Sequence, residues 1–162
     1  MSTAHHVATL AFHDRARSRA AFEEALTLPG LRYAAVLDRG ADGVLDVTAE
    51  HTPDPGPVTA GAAILGGGVG LLGGPVGSFL GASAGALLAN AYIEQEASAG
   101  YAGLIMLSAD VEDDTALVVL DIKEEATETL DGLAARHHVT CHREDIDAFT
   151  ARLRTAWKKS GT

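Results

Sequence analysis

The chain has a single cysteine, few aromatic residues and no excess of basic charge, and each shortage argues against a class of protein. Cys141 alone can form no internal disulfide, which fits a reducing compartment rather than a stapled secreted scaffold. Twelve Lys and Arg against 22 Asp and Glu give a net charge of −10, which argues against nucleic acid or any partner gripped by neutralising phosphates. The opening Met1-Ser2-Thr3-Ala4-His5-His6 lacks the basic stretch and apolar run of a secretory signal, so a cytoplasmic protein is expected. Aromatic residues make up 5% of a chain that is 47% hydrophobic, so most of its apolar surface comes from small aliphatic side chains. At 162 residues it is long enough for one domain and an appendage.

The most informative absence is local. Between Asp54 and Glu94 there is no charged residue, a run of 39 positions from Pro55 to Ile93, and 11 of the 18 glycines fall between Gly56 and Gly85. Pro53, Pro55 and Pro57 stiffen the entry. Gly73-Gly74-Pro75 divides the run into two arms, because Gly ends a helix at positive φ and Pro suits the first turn of the next. Ala62, Gly66, Gly70 and Gly74 recur every fourth residue in one arm, and Gly77, Gly81, Gly85 and Ala89 do so in the other. Each arm therefore carries a smooth stripe along which helices can touch backbone to backbone. Ile64, Leu65, Val69, Phe79, Leu80 and Leu87 leave no polar face for water, and a helix apolar all round must be buried. Each interior glycine costs a helix about 1 kcal/mol against alanine, so the five from Gly61 to Gly70 penalise the first arm by roughly 5 kcal/mol. Two environments could compensate: a bilayer, which enforces helices by leaving no water for the backbone, or a tight protein interface. Each arm offers about 17 residues, roughly 25 Å of helix against a hydrocarbon core near 30 Å, so length decides only weakly between them. A mobile Gly/Ala linker is a poorer reading, because regularly placed Leu, Ile and Phe do not suit a solvated tether.

The flanks read as ordinary secondary structure. His5–Phe12 alternates as a strand, and Asp14 is a helix N-cap for Arg15–Leu28, which stops at Pro29-Gly30. Tyr33–Leu37 and Val44–Thr48 read as a hairpin. Tyr101–Leu107 fits a short helix or a loop, and Ala116–Ile122 is the strongest strand signal. Lys123–His137 is expected as a helix, Val139–Arg143 as a strand and Asp145–Lys159 as a last helix along Phe149, Leu153 and Trp157. The expected class is α+β: a ferredoxin-like split βαβ sandwich, with helices on one face of an antiparallel sheet and an inserted Gly/Ala-rich α-helical hairpin. Residues 1–54 form its first half (β-α-β-β), 55–95 the hairpin and 96–162 its second half (β-α-β-α).

This β-α-β-β unit, the run from Gly73-Gly74-Pro75-Val76-Gly77 to Gly85-Ala86-Leu87, and the strand-helix-strand that follows resemble the bacterial domain-of-unknown-function family numbered 1269, labelled as predicted membrane proteins. The similarity spans most of the chain, with the glycine hairpin its distinctive part. It implies a stress- or envelope-associated, hairpin-bearing ferredoxin-like protein, and it carries over no enzyme activity. The seven histidines and the acidic stretch from Asp110 to Asp114 depart from the family's pattern.

Candidate chemistry lies in those histidines. In a ferredoxin-like sheet the first and last strands are antiparallel neighbours, so His5 or His6 is expected to approach His142, and His13 to approach His137 or His138. His5, His6, Cys141 and His142 are the candidate metal ligands, because imidazole and thiolate suit Zn, Cu or Ni. Against this stand the unstereotyped spacing and the commoner occurrence of exposed histidines at strand ends. Trp157, Lys158 and Lys159 on the last helix suit an anionic membrane surface, although a helix packed on the sheet with its bases in water explains them as well. The acidic run lacks the spaced ligands and glycine of a calcium loop, and the glycines form neither a phosphate loop nor a dinucleotide fingerprint after a strand. No nucleophile–base–acid set emerges and no cofactor is expected. The leading expectation is a non-enzymatic protein that forms a homo-oligomer, or associates with lipid at the inner face of a membrane, through Gly66, Gly70, Gly74, Gly77, Gly81, Gly85 and Ala89. Two alternatives remain: an αβ-barrel dimer holding a small molecule or haem, and a His-rich metal-responsive module.

Overall fold

A computed structural model describes residues 3–41, 45–51 and 112–160. The expected hairpin, with all seven of its stripe residues from Gly66 to Ala89, and Tyr101–Leu107 lie outside them. The order of elements is β1 (Ala4–Phe12), α1 (Arg15–Ala25), β2 (Leu31–Arg39), β3 (Leu45–His51), β4 (Thr115–Glu124), α2 (Glu128–Arg136), β5 (Cys141–Asp145) and α3 (Ile146–Ser160). The class is α+β, with one five-stranded sheet in the order β3-β2-β4-β1-β5 and every neighbouring pair antiparallel. The parallel strands β1 and β2 are thus separated by β4, and the parallel strands β4 and β5 by β1. Two β-α-β units interleave.

Local chemistry sets the boundaries. The Asp14 carboxylate accepts the amides of Ala16 at 2.8 Å and Arg17 at 3.3 Å, satisfying two of the orphan donors that open α1. Gly30 then turns the chain into β2 at φ +78°, and its carbonyl accepts the Lys123 amide at 2.9 Å. That bond draws Lys123 and Glu124 into β4, where they pair with His5 and Ala4, so a helix from Lys123 is not formed and α2 starts at Glu128. His138 closes α2 at φ +55°, with its amide donating to Ala135 and that of Val139 to Ala134, the paired bonds of a Schellman motif. The last strand accordingly begins at Cys141, two residues later than expected. Asp145 ends it and caps α3, accepting the amides of Asp147 at 2.9 Å and Ala148 at 3.3 Å.

Strand alternation divides the core. On one face Ala8, Leu10, Phe12, Val36, Val118 and Leu120 pack against Phe22 of α1 and Leu130 and Leu133 of α2. The other face is just as apolar: Val7, Tyr33, Ala35, Leu37 and Val119 are all buried. The expectation that all helices share one face is corrected here. Buried Phe149 of α3 lies beside Val7, Thr9 and Ala11, on the opposite side from α1 and α2. The physical reason is that β4 runs almost unbroken through buried positions on both sides, and a strand buried twice needs a layer on each face.

Candidate functional site

The polar chemistry gathers where β1 begins and β4 ends. His5 and His6 are successive strand residues and leave the sheet on opposite faces. His5 Nε2 lies 2.6 Å from Asp121 Oδ1, and Asp121 is fully buried. Its second oxygen, Oδ2, meets no hydrogen-bond donor among the described residues. On the other face His6 Nε2 is 2.6 Å from Glu124 Oε2, close enough for an ion pair but off the line of a hydrogen bond. Glu124 also receives Arg143 from β5, whose Nε and Nη2 stand 2.9 and 3.3 Å from its two oxygens. Arg143 Nη1 reaches Asp131 of α2 at 2.7 Å. Burial works against the charge on Arg143, but its bonds to Glu124 and Asp131 outweigh that and hold the guanidinium above its ordinary pKa. The same bond from Arg143 holds the Asp131 carboxyl below the usual range.

A third pair joins the two helices. Glu24 of α1 receives His137 Nε2 at 2.7 Å and, on its other oxygen, Arg136 Nε at 2.7 Å. The hydrogen bond from His137, followed by that from Arg136, keeps Glu24 below the usual carboxylate range. Phe12 meets the His137 ring edge-on at 6.3 Å.

The anticipated ligand set does not converge. His142 pairs with Thr9, four positions from His5 and about 13 Å along β1. Alternation sends His5 and His142 to one face, and His6 and Cys141 to the other. Burial pushes the Cys141 thiol up, further from the thiolate that binds metal. Among the described residues no group of three or more His, Cys, Asp or Glu could hold a metal ion. The second pairing is closer to expectation. His13, His137 and His138 line one cleft of about 450 Å³, together with His142, Arg17 and Asp14. A second cleft of about 440 Å³ opens on the α3 face beside Val7, Thr9 and Phe149, with the Glu144–Arg152 ion pair at 3.0 Å on its wall.

Trp157, Lys158 and Lys159 belong to the last turns of α3, where Lys158 is exposed, and the side chains of the other two are outside the described set. No helix among the described residues is long and apolar enough to cross a membrane. The carboxylates that hold the histidines emerge only with the fold. Asp121 carried a visible signal, an acid inside the apolar run Ala116–Ile122, whereas Glu24 and Glu124 look like any exposed acid until the register is known. Comparison with protein-family models, curated proteins and solved structures finds no match to this chain.

Proposed function

We propose that the body is a ferredoxin-like sandwich and that the protein is a non-enzymatic, self-associating one, which forms a homo-oligomer or docks on the inner, cytoplasmic face of a membrane through its inserted glycine hairpin. The observation that carries the reading is the uncharged stretch of 39 residues with a glycine or alanine at every fourth position of each arm. The body supports treating that stretch as an added module. Among the described residues, the α1–α2 core and the interleaved β-α-β order are built from segments on either side of the stretch. The pairs His5–Asp121, His6–Glu124, Arg39–Asp113 and Glu24–Arg136 join the two halves of the body.

Gly81→Leu places a four-carbon side chain in the smooth stripe and should shift the oligomer toward smaller species in mass photometry or lower its recovery with membranes after a salt wash. Unchanged mass together with unchanged membrane partitioning would refute the proposal.

A further inference from the structure

The 450 Å³ cleft sits where β1 ends, α1 begins and the α2–β5 loop passes over them. Its volume falls within the range of small-molecule sites. In a chain of net charge −10 its lining is unusual, with four imidazoles, the Arg17 guanidinium and one carboxylate. That carboxylate, Asp14, is already engaged, since its Oδ1 accepts the Ala16 and Arg17 amides. His137 is engaged as well, held from behind by Glu24. Arg17 differs from Arg15, Arg136 and Arg143, which each hold a carboxylate, because it has no acidic partner among the described residues. His13, His138 and His142 are exposed.

His138 adds an observation of another kind. It occupies the left-handed C′ position of the α2 Schellman motif at φ +55°, where glycine is the ordinary residue and a side chain costs about 1 kcal/mol. The fold tolerates that strain and keeps an imidazole at the cleft. Several donors, one fixed cation without an acidic partner among the described residues, and no group of ligands there able to chelate a metal describe a site for an anion rather than for a cation.

We propose that this cleft binds a small oxyanion, the carboxylate or phosphate-like group of a soluble ligand, with Arg17 as the fixed charge and His13, His138 and His142 as donors. Asp14 is tied to the α1 amides, Glu24 to His137 and Arg136, and no other acid lines the cleft among the described residues.

The test is a titration of the full-length protein with sulfate at constant ionic strength, followed through the histidine ring resonances. His13, His138 and His142 should shift on one saturable curve while His5 and His6 stay fixed. Arg17→Gln should weaken binding about tenfold and leave the remaining spectrum unchanged. Arg19→Gln, an exposed position on the same helix outside the cleft, should have no effect. A parallel titration with acetate separates the two headgroups: saturation by either anion supports the site and identifies the class it prefers. Shifts that do not saturate with either, that appear equally at His5 and His6, or that survive Arg17→Gln would overturn the proposal.

Discussion

Adding one methyl group at each of two glycines should move stability in opposite directions. Gly30 sits at φ +78°, and a Cβ built there would lie 1.9 Å from the Lys123 carbonyl oxygen and 3.0 Å from its carbon. Both obstacles are backbone, and the same two residues are joined by the Lys123 N–H to Gly30 O bond at 2.9 Å. Relief therefore requires the start of β2 to part from β4, breaking that bond and loosening Leu28 and Leu31 in the core. The left-handed backbone contributes about 1 kcal/mol, the lost hydrogen bond about 1 kcal/mol and the steric displacement about 1–3 kcal/mol. Reduced freedom of the unfolded chain returns about 0.5–1 kcal/mol. Gly30→Ala should thus destabilise by about 3 kcal/mol, or about 10 °C in Tm for a chain of this length. Gly132 lies inside α2, and a Cβ there meets only Arg136 Nη1 at 3.3 Å, the far end of an exposed side chain. Gly132→Ala should stabilise by about 0.5–1 kcal/mol through helix propensity. Urea unfolding followed by far-UV circular dichroism reads both values, provided the m-value is unchanged. Shifts of the same sign, or a loss below about 1 kcal/mol at Gly30, would refute the reasoning.

Two other perturbations address the polar network. Arg143→Ala leaves Glu124, whose side chain is 5% exposed, with His6 alone, and should cost about 3 kcal/mol. Adding Glu124→Gln should recover about 1 kcal/mol of that, and strict additivity in the double-mutant cycle would count against the pairing. Glu24 and Asp131 both have folded-state pKa values below their ordinary ones, so their contribution is present above the ordinary carboxylate range near pH 4 and is lost as pH falls through the folded value. The stability gap between wild type and Glu24→Gln should accordingly be open at about pH 6 and close toward about pH 3. A gap that widens on acidification would contradict the assignment.

The order of elements flanking the glycine stretch was legible in the sequence because the signals were local. Asp14 announced α1, the alternation of His5–Phe12 announced β1, and the largely apolar run Ala116–Ile122 announced a strand. What stayed hidden depends on partners far along the chain. Lys123 and Glu124 have the composition of a helix start, yet the carbonyl of Gly30 recruits them to the sheet from more than ninety positions away. The side of the sheet chosen by α3 follows from which face lacks a layer, a fact about packing that its own sequence does not contain. The candidate ligands scattered for a related reason. Cys141 and His142 are adjacent in sequence, but the pleat separates them and the register places His142 against Thr9 rather than His5. His13, His137 and His138 did meet, because both segments close elements at the same end of the body.

The central place of β4 also constrains how the molecule is made. As the ribosome releases the chain, β1 has no strand to lie beside, since both of its neighbours are encoded after the glycine stretch, and among the described strands only the β2–β3 hairpin can zip up early. The nascent N-terminal third must wait, with its greasy surfaces uncovered, while about sixty further residues emerge at some 5–20 per second. That interval of several seconds gives the cell's chaperones a natural point of entry.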